Sequence, residues 1–415
     1  MYIKELTNEE FRNFCNHFNN KSIYQTVEYG LVMNNQKFNT IFLGLINEQN
    51  QIVAASLILI EHLNKFKYAY APKGFLIDYN NFNLLNTLTK EIKKYLGHKN
   101  IIAIKICPMV IKSIYDKKNK VLSKNNYYDN IFNNLTNLGY HHLGYNHFFE
   151  ALKPRYEAII DLNIPYYMLF NNIRKEFRTK IRSAEAKGIK IYKGSKKDLE
   201  YLYLQTKTKY PRDLKYFDDC YDYFDKIKQI DFYYSKLDTA KYLKICQKKY
   251  HEEEANCNKI TSLIKENGAT PKLINEKMEQ DKKFDNSKKE LIRATNFLRN
   301  NPEGIVTASI LIVKNNDEIF MLMDGYDPKY KSFNSKHLLI WKLIERYSKQ
   351  GFKKFNLNGI TNVDIEKNKY TGLNNFKLGF NALCYEYIGD LELVTNNTLY
   401  LIYRNTSPIR SILKK

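Results

Sequence analysis

The sequence lacks several features that would place it in a structural class at once. Of its 415 residues only 16 are Gly and 9 are Pro, which excludes a collagen-like or low-complexity chain. The longest apolar run, Ile52–Ile60, is too short to span a bilayer, and the N-terminus has no apolar signal segment. The six Cys residues form no C-x-x-C pair, which argues against a zinc ribbon or a redox motif. We therefore expect a reduced, cytoplasmic protein that binds no metal.

Acidic residues are scarce relative to basic ones. The chain has 66 Lys and Arg against 44 Asp and Glu, a formal net charge of +22. Proteins this basic commonly bind polyanions, namely nucleic acid, phosphorylated metabolites or an anionic membrane surface. The alternative is a composition biased towards AT-rich codons, since Asn, Lys, Ile and Tyr are all abundant. A hydrophobic content of 44% supports well-packed domains in either case.

Motifs of the common enzyme classes are also missing. The sequence has no G-x-S-x-G, H-E-x-x-H, P-loop, G-x-G-x-x-G or EF-hand loop. His141, His142 and His147 lie close together but without Cys or carboxylate residues at ligand spacing, which favours ordinary surface histidines. Neither a metal nor a covalent nucleophile is indicated. The mechanism that remains is one in which the protein aligns two bound substrates and stabilises the charge that develops during their reaction.

Helical and strand patterns alternate along the chain, and they do so twice. Residues 1–150 predict a mixed α/β domain, and residues 151–388 predict a second one with a similar order of elements. Two copies of one fold are therefore indicated. A long helical stretch, residues 239–300, interrupts the second copy.

The interruption predicts an antiparallel coiled-coil arm of about 42 Å, made of two limbs of ~28 residues. Asn267-Gly268 ends the first limb and Thr270-Pro271 begins the second. The arm is either a solvated strut or a surface that contacts RNA. The apolar positions that follow heptad spacing are Leu243, Cys246, Tyr250, Cys257, Ile260 and Ile264 in the first limb, and Phe284, Leu291 and Leu298 in the second.

The densest basic segment lies on the pattern Leu169–Ala186, which predicts a single helix. Its apolar stripe, with Phe177 at the centre, leaves a second face to regularly spaced basic residues. Such a ridge suits a phosphate chain or an RNA backbone, and an ordinary solvated helix face has the same pattern. The residues that we predict to contact tRNA or phosphate are Arg174, Arg178, Lys180 and Arg182.

A second candidate is the segment NNFKLGFNA, Asn374–Ala382. Phe376 and Phe380 can pack inwards and leave Lys377 beside apolar groups. A lysine in that setting can stabilise an oxyanion or bind a diphosphate. The alternative is a lysine whose stem covers apolar surface while its ammonium stays in water.

Five further landmarks stand along the sequence, namely Ser22–Gly30, Tyr70–Asn80, Arg178–Ile191, Phe355–Thr361 and Asn374–Leu393. In this order they resemble landmarks of the FemABX family of peptidoglycan peptidyltransferases. The resemblance covers nearly the whole chain and implies an α/β fold of two GNAT-like acyltransferase domains, with about residues 389–415 completing the first. It also implies the reaction, transfer of an amino acid from aminoacyl-tRNA to the stem-peptide amino group of lipid II or UDP-MurNAc-pentapeptide.

The same resemblance implies roles for individual residues. Arg212 matches an arginine that holds the precursor's phosphates, and Tyr216 lies in the same motif. A basic position after the first landmark is Met33 in this chain, and we expect Lys37 to substitute for it. The implied site is therefore Lys377 as the catalytic residue, with Arg212, Tyr216, Lys37 and Phe376 binding substrate.

The donor is expected to be a tRNA. A GNAT domain that uses acetyl-CoA needs a Gly-rich turn before a helix, whereas the strand ending at Gly325 continues through YDPKYKSFNSK without another Gly. We expect no cofactor, a Gly, Ala or Ser donor, and peripheral contact with the inner membrane face. The alternatives are an N-acyltransferase with a thioester donor and a non-enzymatic module that binds tRNA or a membrane surface.

Overall fold

Two mixed β-sheets with flanking helices organise the chain in the computed structural model, which describes residues 1–63, 65–208, 212–363 and 368–406. The predicted mixed α/β fold is confirmed. Among the described residues no helix combines the length and apolar character needed to cross a membrane.

The strands in chain order are β1 (Tyr2–Glu5), β2 (Asn39–Ile46), β3 (Ile52–Leu63), β4 (Phe66–Ala71), β5 (Ile101–Ile106), β6 (Ile111–Tyr115), β7 (Val121–Lys124), β8 (Tyr140–His142), β9 (Tyr156–Asp161), β10 (Ile189–Gly194), β11 (Ile230–Leu237), β12 (Ile305–Asn315), β13 (Glu318–Tyr326), β14 (Lys354–Ile360), β15 (Leu383–Tyr387) and β16 (Leu391–Val394). The helices are α1 (Asn8–His17), α2 (Val27–Asn35), α3 (Phe82–His98), α4 (Tyr128–Asn137), α5 (Tyr166–Asn172), α6 (Lys175–Ala186), α7 (Leu199–Thr206), α8 (Leu214–Asp225), α9 (Thr239–Asn267), α10 (Pro271–Asn300), α11 (Ser335–Lys349), α12 (Thr371–Leu378) and α13 (Asn397–Thr406).

The two sheets repeat one topology. The first has the order β1-β2-β3-β4-β5-β16-β8, and the second begins β10-β11-β12-β13-β14-β9-β15. Each contains one parallel pair at the same place, β4 with β5 and β13 with β14, and all other pairings are antiparallel. The hairpin β6–β7 continues the second sheet beyond β15, although it falls within residues 1–150. The domain boundaries at 150 and 388 stay predictions.

The two halves exchange a strand. After β8, at the end of the first sheet, the chain crosses over and β9 enters the second sheet between β14 and β15. After β15 it crosses back, and β16 enters the first sheet between β5 and β8. The strand that follows β8 of the first sheet therefore completes the second sheet, and the strand that follows β15 of the second sheet completes the first.

A shared interior joins the two halves. Helix α2 packs beside α8, and the side chains of Leu57 and Tyr70 belong to the same buried apolar cluster as Phe217, Leu311 and Phe320. Since burial of apolar surface is the main favourable term in folding, this cluster binds the halves together.

The predicted single helix over Leu169–Ala186 is wrong, because α5 and α6 are separated by extended backbone at Ile173 and Arg174. The N–H of Arg174 donates to the carbonyl of Gly379 at 3.1 Å, and the Phe177 ring packs against Gly379 itself. The break lets the start of α6 dock on the end of α12, a tertiary contact that periodicity along α6 does not encode.

The helices α9 and α10 pack antiparallel. Tyr250 and Phe284 have ring centroids 5.2 Å apart, and Gln280 Nε2 donates to Glu253 Oε2 at 2.6 Å. At the base, Thr239 Oγ1 donates to the carbonyl of Asn301 at 2.8 Å. Coiled-coil packing along this pair stays a prediction.

Candidate functional site

The segment around Lys377 is fixed to the end of a central strand. The Asn374 amide accepts from the N–H of Thr361 at 3.0 Å and donates to the hydroxyl of the same residue at 2.9 Å. Those bonds hold α12 against β14. Lys377, on the same helix, donates from Nζ to the carbonyl of Gly359 at 2.7 Å and is only 6% exposed. The lysine is therefore buried and oriented rather than solvated.

Burial lowers the pKa of Lys377 to about 8, and the Asp324 carboxylate opposes part of that shift. Asp324 itself forms an ion pair with Lys336, whose charge also disfavours the ammonium of Lys377. A cation in such a weakly polar setting interacts strongly with a negative charge that develops beside it.

Phe376 belongs to an aromatic group next to this lysine. Its ring centroid lies 5.1 Å from that of His337, 5.5 Å from Phe380 and 6.1 Å from Phe177, and Lys336 Nζ lies 4.6 Å from it. Burial lowers the pKa of His337 to about 3, so that this ring is neutral. Phe376 is half-buried.

Arg212 and Tyr216 lie together at the start of α8. The guanidinium carbon of Arg212 is 4.2 Å from the Tyr216 ring centroid, and Tyr216 is buried. Tyr24 and Tyr29, from the first half, are close enough that Arg212 affects their pKa. The structure therefore brings two of the four predicted substrate-binding residues, Arg212 and Tyr216, to the junction of the halves.

Lys153 completes this group, and sequence reasoning missed it. Its Nζ lies 3.3 Å from the Tyr24 ring centroid and donates to the Tyr29 hydroxyl at 3.2 Å. Burial and the charge of Arg212 lower its pKa well below the ordinary value. It stands in the connection between β8 and β9, where no periodic pattern distinguishes it from other lysines.

Lys37 does not join this group. It is exposed and follows the C-terminal end of α2, whereas Tyr29, near Arg212, lies in the first turn of that helix. Asn35, near the far end of α2, donates to Asp219 Oδ1 at 2.9 Å, and Asp219 lies in α8, seven residues beyond Arg212. Among the contacts of the described residues none joins Lys37 to this group, and its substitution for the basic residue at Met33 stays a prediction.

The predicted basic ridge is only partly helical. Arg174 precedes α6 in extended backbone, Arg178 is half-buried and Arg182 is exposed. Lys180 Nζ lies 5.2 Å from the Phe177 ring centroid, which connects the ridge to the aromatic group around Phe376. Contact of this ridge with RNA stays a prediction.

A buried polar network lies between the two cationic groups. Lys73 Nζ forms an ion pair with Glu157 Oε1 at 2.7 Å, and Asn356 Nδ2 donates to Glu157 Oε2 at 2.9 Å and to Glu318 Oε1 at 3.0 Å. Burial, together with the charge of Glu157, raises the pKa of Glu318 to about 7. The Glu157 carboxylate also favours the charged forms of Lys377 and Lys153.

Comparison with solved structures shows that the fold is a known one. The chain is similar to the crystal structure of FemX, with a TM-score of 0.74 and 20% sequence identity, over 97% of this chain and 99% of that one. The FemAB family model matches residues 6–407, and the chain belongs to that family.

Relatives of this chain are aminoacyltransferases. It is 26% identical to aminoacyltransferase FemB of Staphylococcus epidermidis (strain ATCC 12228 / FDA PCI 1200) over 429 aligned positions, with full coverage of both chains. It is 23% identical to aminoacyltransferase FemA of Staphylococcus epidermidis, over 88% of this chain and 89% of that one. The chain is therefore an aminoacyltransferase-type enzyme.

Proposed function

We propose that this protein transfers an amino acid, Gly, Ala or Ser, from aminoacyl-tRNA to the stem-peptide amino group of lipid II or UDP-MurNAc-pentapeptide. The product is an interpeptide bridge or branch. The observation that carries the proposal is the buried, oriented Lys377 in a chain that the FemAB model matches from residue 6 to 407.

The reaction needs alignment and charge stabilisation more than a dedicated nucleophile. The acceptor amine attacks the ester carbonyl of the aminoacyl-tRNA, so that a C–N bond forms and the C–O bond to the terminal ribose breaks. The proton lost by the amine ends on the ribose hydroxyl. Lys377 stabilises the oxyanion of the tetrahedral intermediate with its ammonium, and Phe376 forms part of the wall beside it.

Two features support a tRNA donor. The net charge of +22 favours a polyanion, and Lys180, Arg178 and Arg182 lead from the aromatic group along α6. In this proposal the arm formed by α9 and α10 extends the RNA-binding surface. We also infer that each half is a GNAT-like domain, since both sheets share seven strands in one order with one parallel pair.

Peripheral membrane contact is part of the proposal. The hairpin β6–β7 exposes Val121 and Leu122, and Lys120 and Lys124 flank them in the sequence. Apolar side chains flanked by cations suit the surface of an anionic bilayer. Lys117 Nζ donates to Asn381 Oδ1 at 3.1 Å, which places the hairpin tip near the segment of Lys377. The basic residues of the hairpin are Lys112, Lys117, Lys118, Lys120 and Lys124.

The test is a transfer assay with defined substrates. Purified protein is incubated with lipid II or UDP-MurNAc-pentapeptide and with tRNA charged with Gly, Ala or Ser, and the acceptor is weighed by mass spectrometry. We expect addition of amino acid residues with at least one tRNA, and a loss of at least about 100-fold for Lys377→Ala. Lys353→Ala, at an exposed lysine, is the matched control.

Two results would contradict the proposal. Wild-type transfer by Lys377→Ala would remove the role given to that residue. Acylation of the same acceptor from acetyl-CoA, with none from any charged tRNA, would establish the thioester N-acyltransferase instead.

A further inference from the structure

We infer that a cavity of the first half, beside the hairpin β6–β7, holds one hydrocarbon chain of an anionic phospholipid. The inference rests on the membrane contact of the proposed function and names the lipid that makes this contact.

The cavity lies beyond the ends of the parallel strands β4 and β5. The chain that follows β4 supplies Phe75 and Ile77, the chain that follows β5 supplies Val110, and the hairpin β6–β7 and α4 form the other sides. The volume of the cavity is about 440 Å³. Sites for small molecules typically measure about 300–1,000 Å³, so the cavity is large enough for part of a lipid chain.

The deep part of the cavity is apolar. The side chains of Phe75, Ile77, Val110 and Ile131 are all buried there. Tyr79 is buried with them, and its hydroxyl accepts from the N–H of Phe75 at 2.6 Å, so that its polar group already has a partner. Burial of a hydrocarbon chain against such side chains is favourable, because it removes apolar surface from water.

The mouth of the cavity is polar. Asn20, Asn80 and Ser123 are exposed there, and among the described lining residues the only charged side chain is that of Asp78. A carboxylate at the mouth repels a phosphate or another carboxylate that would enter. The ligand that fits is therefore an uncharged chain whose anionic group stays outside.

The hairpin β6–β7 connects the cavity to exposed apolar surface. Ile114 of β6 and Ser123 of β7 lie opposite each other in the strand pair, and both line the cavity. Leu122, the neighbour of Ser123, is 54% exposed. A lipid chain that leaves the bilayer at Leu122 therefore passes from one apolar surface to the next.

The same hairpin supplies positive charge for the head group. Residues 111–125 contain five lysines and one aspartate, and Lys118, Lys120 and Lys124 are exposed. The aspartate, Asp116, accepts from the backbone N–H groups of Lys118 and Lys120 at 2.8 Å each, so it stabilises the turn. An excess of lysine beside an apolar surface favours an anionic lipid over a neutral one.

The second half holds Lys377 at the equivalent place. In the repeat β13 and β14 correspond to β4 and β5, and Lys377 donates to the carbonyl of Gly359 in β14. The cavity of the first half has no Lys, Arg, His or Cys among its described lining residues. Its chemistry is therefore that of a binding site and not of a second transfer site.

The test measures binding of a short-chain phosphatidylglycerol, kept below its critical micelle concentration, by calorimetry without tRNA or acceptor. Ile114→Trp fills the cavity and should bind this lipid at least about tenfold more weakly than the wild type. Ser123→Trp, at an exposed position of the opposite strand, should have the same effect and serves where Ile114→Trp does not fold. Ile292→Trp, at a 56% exposed position of α10, is the matched control and should bind as the wild type does.

A second comparison tests the head group. Phosphatidylcholine of the same chain length has no net charge and should bind the wild type more weakly than phosphatidylglycerol. Replacing both Lys118 and Lys120 by Gln should remove that difference. Glycerol phosphate, which has the charge but no chain, should not compete.

Several results would overturn the inference. These are wild-type affinity in a folded Ile114→Trp and Ser123→Trp, equal affinity of the wild type for both lipids, and full competition by glycerol phosphate. Displacement of the phospholipid by lipid II but not by UDP-MurNAc-pentapeptide would assign the cavity to the acceptor's own chain. Displacement by acetyl-CoA would assign it to a thioester, and either result also overturns the inference.

The lipid site and the proposed reaction can fail separately. If the wild type binds phosphatidylglycerol as expected but transfers no amino acid, the reaction is wrong and the lipid site stands. If it transfers amino acids but binds no phosphatidylglycerol, the lipid site is wrong and the reaction stands. Equal melting temperatures of the variants exclude misfolding as the cause.

Discussion

At the scale of single residues, the charge of Lys377 depends on pH in the working range. Its pKa is lowered to about 8, so the ammonium loses its proton as the pH rises through that value. If the ammonium stabilises the oxyanion, kcat should fall above about pH 8. The rate of single-turnover transfer, followed from pH 6.5 to 9.5, measures this decrease.

Lys377→Arg separates charge from proton transfer. A guanidinium stays protonated over this whole pH range. If Lys377→Arg keeps activity, its kcat should therefore not fall above about pH 8. A falling limb of the same midpoint in Lys377→Arg would assign the titration to another group and contradict the role of the ammonium.

The site residues divide by whether a local pattern marks them. Lys377 and Phe376 stand in a segment with recognisable spacing, whereas Arg212 and Tyr216 were indicated by the family resemblance. The structure places Phe376 beside Lys377 and Tyr216 beside Arg212. Lys153 could not be predicted, because its setting depends on Tyr24 and Tyr29, more than a hundred positions earlier. Proximity of that kind is a property of the folded chain alone.

At the scale of elements, the docking of α6 on α12 requires a residue without a side chain. A Cβ at Gly379 would overlap the Phe177 ring. Gly379→Ala should therefore lower the free energy of unfolding by about 1–3 kcal/mol, the usual cost of overpacking a core. Urea denaturation followed by circular dichroism measures the loss.

Gly372 provides the control for that substitution. It lies in α12 as well, and an added Cβ there would meet nothing within 4 Å. Gly372→Ala should be neutral or slightly stabilising, since Ala is the better helix former. Equal destabilisation by both variants would mean that the contact between Phe177 and Gly379 is unimportant.

The pair α9–α10 can be shortened without loss of the main body. Among the described residues, the fully buried apolar side chains that join this pair to the core around the second sheet lie at its base, namely Tyr242, Cys246 and Ala294. Tyr250 and Phe284 still face each other beyond that base. Replacing residues 252–283 by a short Gly-Ser linker should change the unfolding free energy by less than about 1 kcal/mol. Filter binding then measures tRNA affinity, which should fall if the arm contacts RNA; an unchanged affinity would make the arm a strut.

The prediction of helices and strands from the sequence succeeded where buried residues recur periodically, and it failed where a tertiary contact interrupts that periodicity. The spacing of Phe170, Ile173 and Phe177 fits one helix, yet the bond from Arg174 to Gly379 ends α5 and starts α6. The hairpin β6–β7 was not predicted, because β7 is an exposed edge strand without an alternating apolar pattern.

At the scale of the whole molecule, the strand exchange makes the two halves depend on each other. Removing residues from 390 onwards takes β16 from between β5 and β8, which exposes one edge of β5 and separates β8 from the rest of the sheet. We expect the truncated chain to be aggregation-prone and to lack cooperative unfolding in scanning calorimetry. Truncation after Thr395, which keeps β16, is the control and should unfold cooperatively; a cooperative transition without β16 would contradict this dependence.

The repeat itself could be predicted, and the exchange could not. Two similar orders of helices and strands are visible in the sequence, and the family resemblance implied that the C-terminal segment returns to the first domain. The sheets that β9 and β16 enter depend on pairings between residues far apart in the sequence, such as Leu391 of β16 with Ile106 of β5. Alternation within a strand gives no information about its partner.

The late position of β16 also constrains when the protein can fold during synthesis. The first sheet lacks β16 until residues 391–394 have left the ribosome, and the second lacks β15 until residues 383–387 have, so neither half can be finished early in synthesis. For most of translation the edges of β5 and β8 that face β16 must therefore be kept from pairing with other strands. A chaperone that shields these edges would act on this protein before its release.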